Sequence, residues 1–239
     1  LHAYARRILD LTAEARTAVT GTPADVGGDL LLAASSVPGH HLLPPALATF
    51  RSRHPLVRVR VSVSDTAAVL REVEQAAAHL GVVGGREDGP HLEFRQFACD
   101  ELVTVVPRGH PWWRKRRVPV RELLAQPLVQ RESGSGSRRC LERALDRLGV
   151  AASDLNVVLE LGSSEAVKEA VLAGAGVAVL SRRAVLQEVR SGRLKAIAVD
   201  GLTLGRDLFV VRDRRRVLPR PAELFLALLG SGTAPVGSA

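Results

Sequence analysis

Three stretches of the sequence place small hydroxyl residues directly ahead of an expected helix. They are Ala34-Ser35-Ser36-Val37-Pro38-Gly39, Arg131-Glu132-Ser133-Gly134-Ser135-Gly136-Ser137-Arg138 and Gly162-Ser163-Ser164-Glu165. A helix start offers unpaired backbone N–H groups and the positive end of the helix dipole, so each stretch can hold an anion. Glycines let the backbone curl into a nest of donors, and serine hydroxyls add further ones. Plain helix capping explains the same residues at about 1 kcal/mol of stability. For Ser163-Ser164 capping is the whole reading. The two glycines and three serines of Ser133–Ser137 exceed what a cap requires, which points to binding. Ser35-Ser36 stays open between the two.

The elements that must position these loops alternate in type. A short apolar strand over Asp29–Ala34 precedes a helix over about His41–Arg53. Val57, Val59, Val61 and Val63 alternate with Arg58, Arg60, Ser62 and Ser64, the period of a strand. Asp65 stands where a helix cap belongs, ahead of a helix ending near Ala78, and strands Leu80–Val83 and Leu92–Phe97 follow. The series restarts with strands at Leu102–Val106, Pro127–Gln130, Val157–Leu161 and Val177–Leu180, and helices at Val120–Ala125, Arg138–Leu148 and Glu165–Ala173. Helix Arg183–Arg190, strands Leu194–Val199 and Leu208–Val211, and a helix from about Pro221 to Leu229 end it. This rhythm argues for mostly parallel sheets covered by helices, and the strand count for two lobes. Ligands in such sheets sit at the carboxyl ends of strands, where the serine loops lie.

Ahead of this body, Leu1, Tyr4, Ile8, Leu11, Ala15 and Ala18 form one helical stripe, which Gly21-Thr22-Pro23 stops. A helix so isolated needs a partner in water, so at least a dimer is expected.

Composition narrows the function. The chain has 239 residues, 46% hydrophobic and 24% charged, a globular balance, and no apolar run long enough to span a bilayer. Two cysteines, Cys99 and Cys140, make neither a disulfide framework nor a zinc site and read as free thiols in a reducing, cytoplasmic setting. There is no methionine, so the chain is expected to be a piece of a longer protein. The net charge of +8 rests on 30 arginines against three lysines, a bias that a GC-rich genome also produces. Arginines gather at Arg114-Lys115-Arg116-Arg117 and Arg212–Arg216, both in expected loops where a solvated turn is the default. Only weak, salt-sensitive DNA binding is therefore expected. The sequence contains no G-x-S-x-G elbow, Walker loop or H-E-x-x-H, and His40-His41 cannot chelate from adjacent helical positions. No enzyme activity, cofactor or metal is expected.

Taken in order, the segments resemble the effector-binding domain of LysR-type transcriptional regulators. Gly28–Ser35 resembles the family's opening strand. Leu42-Leu43-Pro44, Phe50-Arg51 and His54-Pro55 with Val57 and Val59 resemble its next stretch. Asp100–Val103 through Val106-Pro107 and Gly109-His110-Pro111 resemble the strand between lobes, and Ser135-Gly136-Ser137-Arg138 an "SGTR"-like loop. Glu160–Ser163, Val167-Lys168, Val171, Gly174 and Gly176-Val177 resemble a further signature, with Ser181 where proline is often found.

The resemblance implies two Rossmann-like lobes as in type 2 periplasmic binding proteins, preceded by a linker helix over 1–20. Lobe I would hold 27–97 and 203–232 and lobe II 98–202, with crossings at Phe97–Glu101 and Val199–Leu202. It implies a small anionic effector between the lobes, held by Ser35, Ser36, Gly84, Ser133, Ser135, Gly136, Ser137 and Arg138. Arg138 has another reading, a pair with Glu142 at i+4. The partners implied are a second or further copies, as homodimer or homotetramer, and promoter DNA only through a winged helix-turn-helix that would precede this chain. The alternative is a solute-binding protein of the same architecture that serves a transporter for a small anion.

Overall fold

A computed structural model describes Thr12, 26–87 and 89–230. Apart from Thr12, the expected linker helix lies outside the described residues. The chain divides into two compact units. Of the described residues, the first holds 26–64, those of Ala68–Ala98 and 208–230, and the second holds Asp65–Ala67 and Cys99–Asp207.

The first unit is built on β1 (Gly28–Ser35), β2 (Val57–Ser64) and β3 (Leu80–Val83), all parallel, with β1 in the middle. Helix α1 (Leu43–Arg53) follows β1 and α2 (Thr66–Glu74) follows β2. Leu30, Leu32, Phe50, Val57 and Leu80 form one core layer with Phe225 of the last helix, α7 (Arg220–Gly230). The Phe50 and Phe225 rings meet edge to face at 5.3 Å. On the opposite sheet face Ala33 and Val83 pack against Val69 and Val73 of α2.

Two helix ends depart from the expected pattern. Ahead of α1 the residues Pro38–Leu42 wind as a π-turn, and the Leu43 N–H reaches back five residues to the Pro38 carbonyl. Pro44 and Pro45 have no N–H to give to the four-back ladder, which favours the wider turn here. Helix α2 stops at Glu74 instead of near Ala78, because Ala76 takes a left-handed φ of 60° and Ala77 and Ala78 both donate to the Glu72 carbonyl.

The second unit repeats the parallel pattern. β6 (Leu128–Arg131) pairs in parallel with β7 (Val157–Leu161), and Leu128 bridges in parallel to Val177 just ahead of β8 (Ala178–Ser181). Helices α4 (Gly136–Asp146) and α5 (Ser164–Leu172) follow β6 and β7. β8 and β9 (Leu194–Val199) lie antiparallel to β4 (Leu92–Pro107), and β5 (Arg117–Val118) is parallel to β9. The short helices α3 (Val120–Leu124) and α6 (Leu186–Arg190) complete it. Leu128, Leu141, Leu145 and Ile197 form one core layer, and Val129, Val167, Val171 and Leu180 the other.

The connecting strands are longer than the hydrophobic pattern indicates. β4 is one strand of 16 residues where two were expected, and β10 (Gly205–Asp213) starts before the expected Leu208. The polar residues Cys99-Asp100-Glu101 break the apolar alternation without breaking the backbone. Asp100 is buried and receives two hydrogen bonds from Arg206 of β10, at 2.7 and 2.9 Å, and one from the Ser181 hydroxyl at 2.6 Å. The chain passes between units at Ala98/Cys99 and again at Asp207/Leu208. The second of these points lies inside the continuous strand β10, and the short stretch Asp65–Ala67 also groups with the second unit.

Candidate functional site

In the second unit, β6 ends on Arg131, and Glu132-Ser133-Gly134 turns the chain into α4. The Ser135 N–H donates to the Glu132 carbonyl at 3.0 Å, which closes the turn. A Cβ on Gly134 would come to 2.5 Å from the Asp65 carboxylate, so a larger residue here would have to displace that side chain. Ser135 stands at the N-cap with extended φ and ψ, yet its hydroxyl makes no cap hydrogen bond. It lies instead 2.9 Å from the Ser137 hydroxyl, and both serines are buried. The first-turn N–H groups of Gly136, Ser137 and Arg138 have no carbonyl partner four residues back within the helix.

Ser163, one junction further on, shows what a structural cap looks like. Its Oγ accepts from the Ala166 N–H at 3.1 Å, as capping requires. Its neighbour Ser164 does something the capping reading did not include. It is buried and its Oγ accepts from Arg131 at 2.7 Å. Arg131 is itself 5% exposed and lays its other nitrogens on the Glu132 carboxylate at 2.6 and 2.7 Å. A small cavity is lined by Gln130, Arg131, Ser137 and Arg138 over the apolar Leu128 and Val179. Thr66, buried and grouped with this unit, has an Oγ1 without a hydrogen-bond partner among the described residues.

The structure thus brings Ser135, Gly136 and Ser137 together and leaves Ser133 exposed in the turn. Arg138 is engaged elsewhere. Its guanidinium donates to Glu142 at 2.8 Å, to Glu160 at 2.7 Å and to the Arg131 carbonyl at 3.2 Å. The Glu142 carboxylate first, and Glu160 after it, raise the Arg138 pKa above its ordinary value. This is the pairing that the i+4 spacing offered as its other reading.

In the first unit, Ser35 ends β1 and Ser36 follows it, both buried. Ala34 pairs with Val82, so the same strand edge carries Gly84, buried just past β3. β1 lies between β2 and β3, and the chain leaves it toward β2 before returning to β3 on its other side. That reversal point is where open α/β sheets leave room for a ligand. Gly39 keeps the following turn tight, since a Cβ there would meet Val63 at 2.9 Å.

Sequence reasoning missed Arg131, Ser164 and Thr66. For Arg131 a signal existed: an arginine ends an otherwise apolar strand immediately before the glycine–serine loop. Ser164 and Thr66 are marked only by burial, which one sequence does not display.

The model of the LysR substrate binding domain family matches residues 24–234. A protein of Anaeromyxobacter dehalogenans named as the phosphonates import ATP-binding protein PhnC is 39% identical over 219 residues, 87% of this chain and 42% of that protein. An uncharacterized HTH-type transcriptional regulator of Methanocaldococcus jannaschii is 31% identical over 221 residues, 92% of this chain and 74% of its own length. Among solved structures, the CcmR regulatory domain of Synechocystis PCC6803 in complex with 2-PG superposes with a TM-score of 0.79 at 26% identity, covering 88% of this chain and 100% of that one.

Proposed function

The chain belongs to the LysR family of transcriptional regulators, as their effector-binding domain, and on that premise we propose that its effector is a small anion met by the serine loops at the strand ends. The observation that carries this reading is the Ser135 hydroxyl, at a cap position but turned away from the cap toward Ser137. A serine kept only for helix stability bonds the N–H groups that this one leaves open. Ser35, Ser36 and Gly84 supply the corresponding strand edge in the first unit, with Ser133, Gly136 and Arg138 as the remaining members of the set. Arg138 acts there as an anchor of the loop, since its donors are held by Glu142, Glu160 and the Arg131 carbonyl. The complex of the 26%-identical CcmR domain with 2-PG supports a small ligand of this kind.

In this reading the protein is a sensor and not an enzyme, acts in the cytoplasm where its DNA is, and contacts promoter DNA through a separate helix-turn-helix domain. It assembles as a homodimer or homotetramer. Two edge strands support assembly, since β2 exposes Val61 and Val63 and β7 exposes Val157, Val158 and Leu159. Among the described residues no helix is long and apolar enough to cross a membrane. The relative named for phosphonate import is matched over 42% of its length, and its name is not carried over to this chain.

The test is binding of 2-PG, or of the anion that screening identifies, to Ser135→Ala and Ser35→Ala measured separately. A charge-assisted hydrogen bond is worth roughly 1.5–3 kcal/mol, so each loss should weaken affinity about tenfold or more. Parent-like affinity in both folded variants would make the serines mere caps.

A further inference from the structure

The residues 107–121 contain six basic side chains and no acidic one, and 189–199 contain three basic and no acidic one. The fold of the second unit places these two segments side by side. Pro107 of β4 is in register with Leu194 of β9, which sets Arg108 and Arg193 at neighbouring strand ends. The Lys195 ammonium reaches the Trp113 carbonyl at 2.5 Å, and Ala198 donates to the Arg116 carbonyl at 3.2 Å. Arg117 then pairs with Ala198 in the β5–β9 ladder. The basic residues therefore follow β9 from Arg193 to Ala198, about 16 Å at the rise of a strand.

The carboxylates that face this track are already matched. Lys115 holds Glu122 at 2.8 Å, Arg117 holds Asp200 at 3.3 Å, and Lys168 holds Glu188 at 3.2 Å. Arg108, Arg114, Arg116, Arg121, Arg190 and Arg193 are exposed and have no carboxylate within ion-pair distance among the described residues. A compositional excess of arginine would scatter them; here the fold gathers residues from two segments far apart in sequence. None of the large exposed apolar side chains, such as Leu56, Val63, Val158 or Val217, belongs to this track. A protein interface has an apolar centre, which is missing here, whereas a phosphate backbone asks only for spaced cations. Guanidinium forks suit phosphate oxygens in particular.

We infer that this arginine track along β9 is a contact for the phosphate backbone of duplex DNA, independent of base sequence and of the effector loops. It supplements the helix-turn-helix contact proposed above and needs no effector for its test. With four arginines engaged, the logarithm of the binding constant should fall with the logarithm of salt at a slope of about −3.6. Between 50 and 200 mM salt that is a loss of about a hundredfold.

The experiment is fluorescence anisotropy of a labelled 20-base-pair duplex of mixed sequence with this chain across that salt range. The variant Arg114→Ala/Arg116→Ala/Arg193→Ala should reduce the slope by about 0.9 for each arginine removed. The control Arg53→Ala/Arg58→Ala/Arg71→Ala removes the same charge from the first unit and should leave the slope unchanged. All six arginines are exposed, so unchanged melting temperatures are expected and are checked alongside. Four outcomes would overturn the proposal: no duplex binding by the parent chain, an unchanged slope in the first variant, equal losses in both variants, or polyglutamate binding as tightly as the duplex.

Discussion

Ser135 and Ser163 have the same residue type, the same N-cap position and the same strand-to-helix setting. Only one of them caps. The Ser163 hydroxyl bonds the Ala166 N–H, whereas the Ser135 hydroxyl pairs with Ser137. The glycine–serine density of the 133–137 loop was legible in the sequence as more than a cap requires. The direction of the hydroxyl was not, because it depends on the conformation of the turn through Gly134. A second residue shows the same gap between pattern and contact. The run Arg212–Arg216 reads as a solvated turn, yet Asp213 within it is buried and is held by Arg215 and Arg216 at 2.7 and 3.1 Å. The Arg215 hydrogen bond first, with the charges of Arg215 and Arg216, lowers the Asp213 pKa from 3.8 to about 2. A carboxylate with a depressed folded-state pKa contributes stability that is present above its unfolded value and is lost as pH falls through the folded one. Chemical denaturation of the parent should therefore show this contribution decline between about pH 4 and pH 2. Asp213→Ala should cost about 2 kcal/mol at pH 7 and lose that part of the acid dependence. Equal acid sensitivity in parent and variant would show that other groups govern it.

At the scale of elements, the parallel strands were the most legible part. Leu30 and Leu32, Val57, and Leu80 and Val82 face one core layer, as alternating or continuous apolar runs require. β4 and β10 were read too short because the pattern reports burial of side chains and not continuity of backbone. Asp100 and Arg206 satisfy each other in mid-strand and let both strands continue through a polar stretch. The valines of β2 carry a different message. Val57 is fully buried while Val61 and Val63 are 37% and 44% exposed, so the strand's apolar face outruns its own core. β7 is exposed along Val157, Val158 and Leu159, and both strands are sheet edges. Such edges are left apolar where another chain covers them. Val63→Lys with Val158→Lys should accordingly shift sedimentation toward the monomer while each unit keeps its circular dichroism. An assembly unchanged by both lysines would place the contact elsewhere.

At the scale of the molecule, two units of parallel β-α-β-α-β design each bring a glycine- or serine-bearing edge to the ends of their strands. Family membership makes the chain an effector-binding module, and the Ser135 hydroxyl turned away from its cap is the ground on which a small anion is proposed as the ligand. A ligand that binds only the folded protein raises its stability by an amount set by its concentration over its Kd. At a hundredfold excess this is about 2.7 kcal/mol, or a rise in Tm of about 5–10 °C for a chain of this size. The direct measurement is a thermal-shift titration with 2-PG, phosphate, sulfate and small carboxylates against the parent and Ser135→Ala. At least one anion should give a saturable rise of this size in the parent, displaced to about tenfold higher concentration in the variant. Flat melting curves with every anion, or the same saturation curve in parent and variant, would contradict it.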